Sequence, residues 1–471
     1  MQCAAFVKYK WYYFAFALFA LAVRCQPQEF VSDSTATLRF SSDTIRFDTI
    51  FSPIGSTTFL CKVYNPSNKN LLFDEVRLQR ENASPFRINV DGREGYSVSN
   101  VKLAKKDSLF IFLEVKKNEY LLLSDAVVFM VNGVELANKL EVVAYGQDAV
   151  VFDGDTVPCD GYTFTADKPY ILNGVVAIRN ATTVKVAAGA KLYFGAKAGV
   201  SVSGVFEVEG TPENPCIFSF PRYNDQWYSD ATGQWEGITI CSIGNASMSY
   251  ARIRGARNAF TVDDTLMLTS SAQLTLKNSV VEYAKIGIQI TNGKANIDNC
   301  LFANHLSYAA LVEGGVCNFY HCTFASGIYR STLVALQNYH LNEQVKPNSY
   351  DTIPMPLEAY FANSIIYGKN VDELSVREQK KGKNHMRFKL ERCIVKLNAG
   401  YDLGDSERYA AVTTQDPLFK DVEKSDFHLT EKSPAINAGL GSIAEMFPID
   451  ADGRDRRILQ DTSLGCYVYN P

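Results

Sequence analysis

The chain has 471 residues, with 47 lysines and arginines against 51 aspartates and glutamates and a formal charge of −4. This near balance excludes a protein that holds nucleic acid mainly by charge. A hydrophobic content of 46% with 12% aromatic residues excludes a largely disordered chain, and the length leaves room for more than one domain.

Lys8 and Lys10 precede an uncharged run from Trp11 to Val23, followed by Arg24-Cys25. A basic start and an apolar stretch of this length read as a signal peptide over residues 1–24, too short to span a bilayer comfortably. Cys25, followed by Gln26-Pro27-Gln28-Glu29, resembles the lipobox cysteine of bacterial lipoproteins, with Arg24 where that pattern has a small residue. Lipidation of Cys25 would hold the protein at a membrane, the outer membrane or cell surface. Cleavage after Ala20-Leu21-Ala22 would instead release it.

Residues 25–150 carry short alternating strands with turns roughly every ten residues, as in Thr57–Tyr64, Ser108–Val115 and Ala126–Val131. Asn132-Gly133 is a strong hairpin signal before Val134-Glu135-Leu136. About seven such strands are the number for an Ig-like β-sandwich. Through Val63-Tyr64-Asn65 and Ala144-Tyr145-Gly146 the segment resembles the Ig-like modules of the abnormal-spindle/hydin type, which implies a spacer or binding role.

From about residue 165 a repeat appears, of the form apolar-x-polar-small-x-apolar. Its copies are Met248–Ile253, Leu276–Val281, Ile297–Phe302, Phe319–Phe324, Phe361–Ile366 and Leu390–Val395. They start 28, 21, 22, 42 and 29 residues apart, so the unit is 21–22 residues, the longer steps carry insertions, and the step of 42 is expected to hide a degenerate unit. A unit of this length suits one coil of a parallel β-solenoid, with equivalent residues stacked about 4.8 Å apart. The small fourth position (Ala251, Ser279, Cys300, Cys322, Ser364, Cys393) should turn inward. The polar third position should sit at a bend, with its asparagines bonded to one another in a ladder.

Trp235-Glu236-Gly237-Ile238, Asp416-Pro417-Leu418-Phe419, Asp426–Leu429, Ser433–Gly439 and Asp450-Ala451-Asp452-Gly453-Arg454 follow in order, with Leu464–Tyr469 as the last expected strand. This succession is similar to the right-handed parallel β-helix repeat family of bacterial surface proteins, over about residues 165–471. It implies an all-β protein: an N-terminal Ig-like β-sandwich followed by a right-handed parallel β-helix. A closing segment, about 410–471, would cap the last coil, as the sandwich could cover the first. Seven Asp-Ser/Thr-aliphatic segments, Asp43-Thr44-Ile45 and Asp107-Ser108-Leu109 among them, resemble O-glycosylation acceptors of exported Bacteroidetes proteins.

Such scaffolds include polysaccharide lyases and glycoside hydrolases, so acid and base clusters matter. Asp263-Asp264 falls in an insertion and reads as a solvated turn; Glu236 reads as part of a structural turn. Asp450, Asp452 and Asp455 with Arg454, Arg456 and Arg457 read as structural. Of the outward repeat positions, Lys277, Asp298, Leu301, Tyr320, Thr323, Ala362 and Glu391, only Lys277 and Asp298 oppose charges on adjacent coils, which an ion pair explains. Trp227 and Tyr228 are the aromatic pair placed to stack on a sugar. Residues 328–385 break the repeat and should project as a loop. Cys300 and Cys322 fall on neighbouring coils, and a reduced stack of thiols is preferred there over a disulfide. No C-x-x-C pair or zinc-spaced Cys/His cluster occurs, so no metal or cofactor is expected. The reading is a monomeric, lipid-anchored surface protein that binds a glycan or a protein without catalysis; the alternative is a lyase or hydrolase on the same scaffold.

Overall fold

A computed structural model describes residues 29–51, 58–115, 122–153, 161–222, 228–264, 272–341, 352–380, 385–398, 400–457 and 462–470. The signal segment, Cys25 and Trp227 lie outside these residues. No helix among the described residues is long and apolar enough to cross a membrane. The chain divides into two compact units, residues 1–148 and 149–471.

The first unit is a two-sheet β-sandwich. One sheet runs Arg39–Phe40, Phe59–Tyr64, Ser108–Val115, Phe86–Val90, Arg93–Gly95; the other runs Thr44–Phe51, Leu140–Gln147, Leu122–Val131, Leu71–Leu78, Ser97–Leu103. Alternation sends Val63, Phe73, Ile111 and Val127 into one shared core. The expected hairpin forms at Asn132 (φ 51°) and Gly133 (φ 73°), with Val131 opposite Val134. Both residues have positive φ, which is why Asn-Gly suits a two-residue turn.

The second unit is a parallel β-helix with three faces. Face 1 stacks ten described strands from Val150–Asp153 to Ile394–Val395, and face 2 stacks ten from Tyr162–Phe164 to Tyr409–Ala410. Face 3 stacks eight from Val175–Ile178 to Leu374–Arg377. The solenoid thus opens at Val150, earlier than the repeat suggests. Alternate residues from all three faces meet in one continuous core. Like side chains stack through it, as Phe319 on Phe361 (4.6 Å) and Phe302 on Phe324 (5.3 Å).

Each repeat copy is the corner between face 2 and face 1. Its third residue, Tyr250, Asn278, Asn299, His321, Asn363 or Arg392, is left-handed at φ 47–51°. Its fourth is fully buried in all six copies. Ser279 and Ser364 use that position to accept the backbone N–H of Ala251 and Cys322, each on the preceding coil, at 3.0 Å. Cys300 and Cys322 are free thiols that donate to carbonyls, Cys300 to Asp298 at 3.1 Å.

Three expectations change. The 42-residue step holds no hidden unit: Gly315–Tyr320 pairs directly with Leu357–Ala362, and a hairpin of Tyr339–Leu341 with Thr352–Pro354 fills the interval. Within 328–385, strands at Val334–Gln337, Leu357–Ala362, Ile365–Tyr367 and Leu374–Arg377 keep solenoid register, so much of this stretch is not a projecting loop. The closing segment is not a plug over the last coil, and Leu464–Tyr469 is not a strand. Leu397, Tyr401, Leu403, Tyr409 and Val412 pack on the end of the core instead.

The chain from Asp416 onward straps the outside of face 1. The outward column Val280, Leu301, Thr323, Ile365, Ile394 lies beneath it, covered by Phe419, Phe427, Leu429, Ala435, Leu464 and Cys466. Leu301 and Thr323, read as outward, are therefore buried, and Ala362 is buried too. One rung before Val280 the same column holds Arg252, which is exposed. The corner asparagines bond to this strap rather than forming a ladder. Asn278 donates to the Asp450 carbonyl at 2.8 Å. Asn363 accepts from the Leu440 N–H at 2.8 Å and donates to the Leu440 carbonyl at 3.1 Å.

Phe427→Ala should therefore destabilise the β-helix by about 3–5 kcal/mol, the cost of truncating a buried phenylalanine. Urea unfolding followed by tryptophan fluorescence measures it. A loss below about 1 kcal/mol would show that the strap is a loosely held tail.

Candidate functional site

Face 2 carries a central outward column that is exposed or half-buried over many rungs. Register stacks Lys185, Glu207, Ser247, Thr275, Asn296, Asn318, Tyr360 and Lys389 in one column. Beside it run Ser249, Lys277, Asp298, Tyr320, Ala362 and Glu391. These side chains point out because their neighbours Leu276, Ile297, Phe319, Phe361 and Leu390 are core residues.

The downstream half of this surface is organised by polar contacts. Asn318 donates to the Asn296 side-chain oxygen at 2.8 Å. The Tyr360 hydroxyl donates to Glu391 at 2.5 Å, and Lys389 pairs with the same carboxylate at 3.0 Å. Burial and then that carboxylate push the Tyr360 phenol up, while the Tyr360 hydrogen bond chiefly holds Glu391 down. The Tyr320 ring meets the edge of Tyr360 at 5.8 Å and stacks on Phe447 at 4.5 Å. A cavity of about 450 Å³ follows, lined by Asn318, Glu358, Tyr360, Arg387, Lys389 and Arg408 among others. Among the described residues Tyr409–Ala410 pairs with Leu390 and Glu391 and no described strand covers the outer edge of Met386–Lys389, which leaves this space open.

Asp298 is buried at 6% exposure, and burial raises its carboxyl to about 6 against the opposing pull of Lys277 and Asn299. Its side chain takes one hydrogen bond, from Asn299 at 3.3 Å. Lys277 is exposed and acts on it through space, so the simple surface ion pair is replaced by a buried acid beside a lysine.

The other sequence candidates separate. Tyr228 is half-buried against the core and the Arg222 guanidinium covers its ring at 3.9 Å, so it is not an open stacking platform. Asp264 is buried rather than solvated. Glu236 lies on a strand and pairs with Arg257 at 3.4 Å. The next residue, Gly237 (φ 108°), must be glycine: a Cβ there would lie 1.6 Å from the Asn258 carbonyl oxygen. No group of three or more His, Cys, Asp or Glu among the described residues is placed to hold a metal.

A buried carboxylate on face 3 was missed. Glu313 accepts from Gln337 at 2.8 Å and from Gln289 at 3.0 Å, and meets Nδ1 of His340 at 3.1 Å. The signal was present, since Gln289, Glu313 and Gln337 recur every 24 residues. The network ties the inserted hairpin, through His340, to the solenoid.

No protein-family model matches the chain, and no curated protein matches it. Among solved structures it is similar to one titled "The complex structure of XylC with xylose", at 9% identity and a TM-score of 0.37, over 94% of this chain and 91% of that one.

The acidic and basic residues near the C-terminus build the strap. Asp450 is buried and accepts the N–H groups of Asp452 (3.0 Å), Arg454 (2.7 Å) and Val468 (2.9 Å). The buried Arg456 donates to the Ser463 and Gly465 carbonyls and to the Asn299 side chain. His428 bridges Asp426 at 2.5 Å and Asp452 at 3.0 Å and stacks on Tyr467 at 4.0 Å. The Asp452 bond chiefly raises the His428 imidazole above 6.5, and the same bond lowers Asp452 below 3.8. A raised histidine contributes stability that is complete below its unfolded value and lost as pH rises through its folded one. A lowered aspartate contributes stability present above 3.8 and lost as pH falls. The strap should thus be firmest in mildly acidic buffer, where the histidine is charged and both aspartates are ionised. His428→Gln should flatten the decline of the urea midpoint above pH 6.5; a wild type already flat from pH 6 to 9 would refute the linkage.

Proposed function

We propose that the protein is an exported, surface-held β-helix that binds glycan along face 2. The observation that carries this reading is the outward row of hydroxyl, amide and tyrosine side chains that ends in the 450 Å³ cavity. Sugars are bound by such polar groups beside aromatic rings, because each sugar ring presents hydroxyls at its rim and C–H groups on its faces. Export rests on residues 1–24, with a lipid anchor at Cys25 to the outer membrane or cell surface of a bacterium of Bacteroidetes type. The sandwich is an Ig-like spacer, the solenoid is right-handed, and the protein works as a monomer without cofactor.

A second reading, a carbohydrate-active enzyme, is favoured by one observation, the buried Asp298 beside Lys277. Asp298 and Glu391 are too far apart to act as a two-carboxylate hydrolase pair. Glu391 lies three rungs down the same column, about 14 Å at 4.8 Å per rung, beyond the roughly 5–10 Å that sugar hydrolysis uses. Eliminative cleavage, with Lys277 or Asp298 moving the proton, is the form that fits.

Glycan-array binding of residues 26–471 tests the first reading. Tyr360→Ala should weaken binding at least tenfold, about 1.4 kcal/mol, whereas Thr261→Ala on face 3 should leave it unchanged. Equal losses in both, or none in either, would move the site off face 2. For the second reading, release of unsaturated sugar ends that Asp298→Asn abolishes would make the protein a lyase.

A further inference from the structure

We infer that the ligand of face 2 is a neutral, linear glycan laid along the stacking axis, with about one ring per coil. This rests on the glycan-binding reading and specifies its substrate class.

The first observation is charge. The central column carries Ser247, Thr275, Asn296 and Asn318 on four successive rungs, each able to donate and accept a hydrogen bond and none ionised. Charge enters this column only above and below that stretch, and there it is already matched. Lys185 pairs with Glu207 at 2.7 Å and Lys389 with Glu391 at 3.0 Å. Around the cavity, Arg387 pairs with Glu358 at 3.5 Å and Arg408 with Glu378 at 3.2 Å. In the flanking column Lys277 forms no direct pair among the described residues and acts only through space on the buried Asp298 of the next rung. A polyanion needs cations to take its carboxylates, and along these four rungs the column itself offers none, while the lysines at its ends already face acids. A neutral chain needs only the donors and acceptors that the column offers.

The second observation is register. The rungs rise about 4.8 Å, close to the length of one pyranose residue in an extended chain, so each sugar along the axis meets an equivalent polar group. The Asn318–Asn296 bond at 2.8 Å fixes two of those amides before any ligand arrives, which lowers the ordering cost of binding. A chain lying across the face would touch only one or two rungs and gain nothing from the repetition.

Calorimetry on residues 26–471 tests this with cello-, xylo- and manno-oligosaccharides of two to eight residues, and with polygalacturonate and alginate. Each is titrated at low and at high sodium chloride, on either side of effective screening. We expect at least one neutral series to bind, with affinity rising over about four rings, one per rung, and then levelling. Its Kd should change less than twofold with salt. The double variant Asn296→Ala/Asn318→Ala should lose at least tenfold for the long oligomers. Its urea midpoint should match the wild type, since both side chains are on the surface. A polyuronate that binds in place of the neutral chains, weakens tenfold or more with salt and responds to the same double variant would overturn the neutral-ligand inference while leaving face 2 as the site. Binding that ignores the variant, or no binding by either set, would overturn both.

Discussion

The repeated coils of the solenoid depend on one backbone constraint, the left-handed residue at the corner between faces 2 and 1 in each of the six repeat copies. At φ near +50° the chain bends sharply from one face to the next at a single residue, and the following small side chain drops into the narrow core. An L-residue accepts this conformation at a cost that asparagine reduces, because its short amide bonds nearby backbone. Three of the six corners are asparagine, and those three also hold the strap, Asn278, Asn299 and Asn363 each reaching a different part of it. The residue that makes the turn cheap thus also presents an amide at the surface, where the returning chain can be hydrogen-bonded.

The strap follows from the same geometry. Stacked coils put like positions in columns, so one apolar outward position per coil becomes an apolar stripe. Face 1 carries such a stripe from Val280 to Ile394. Left open it would invite association with other chains, and the closing segment covers it with Phe427, Leu429 and Leu464. Buried polar groups then fix the path of the cover: Asp450 gathers three backbone N–H groups, and Arg456 satisfies two carbonyls.

The coil, the corner and the inward small residue were legible because each is a local rule repeated six times. The strap was legible as ordered chain but not in place, since nothing local says whether Phe419 and Phe427 cover an end or a flank. The apolar outward residues Leu301 and Ile365 held that information, and only pairing register shows that they line up. For the same reason the 42-residue step was misread: counting residues cannot distinguish an extra coil from a hairpin until the partners of Leu357–Ala362 are known. Of the site, Lys277, Asp298, Tyr320 and Glu391 were visible as outward positions. Asn296, Asn318 and Tyr360 were not, because they lie three residues before the motif's bend and outside its consensus. Trp227-Tyr228 drew attention through composition alone, and Arg222 occupies the Tyr228 ring that a sugar would need.

The three faces of the β-helix are not equivalent, and their differences locate the binding surface. Face 1 has its outward positions from Val280 to Ile394 covered by the strap. On face 3 the polar groups from Asn258 through Gln289 and Glu313 to Gln337 satisfy one another, and the hairpin adds His340 to the same carboxylate. A ligand there would have to replace bonds already made, including those to a buried charge whose exposure without partners is costly. On face 2 the amide of Asn318 and the hydroxyls of Ser247 and Thr275 stand in a row beside solvent, and the uncovered edge of Met386–Lys389 extends that row into a cavity. Polar surface that still faces solvent is where hydrogen bonds to a partner yield the most, and among the described residues the central column of face 2 supplies such a row.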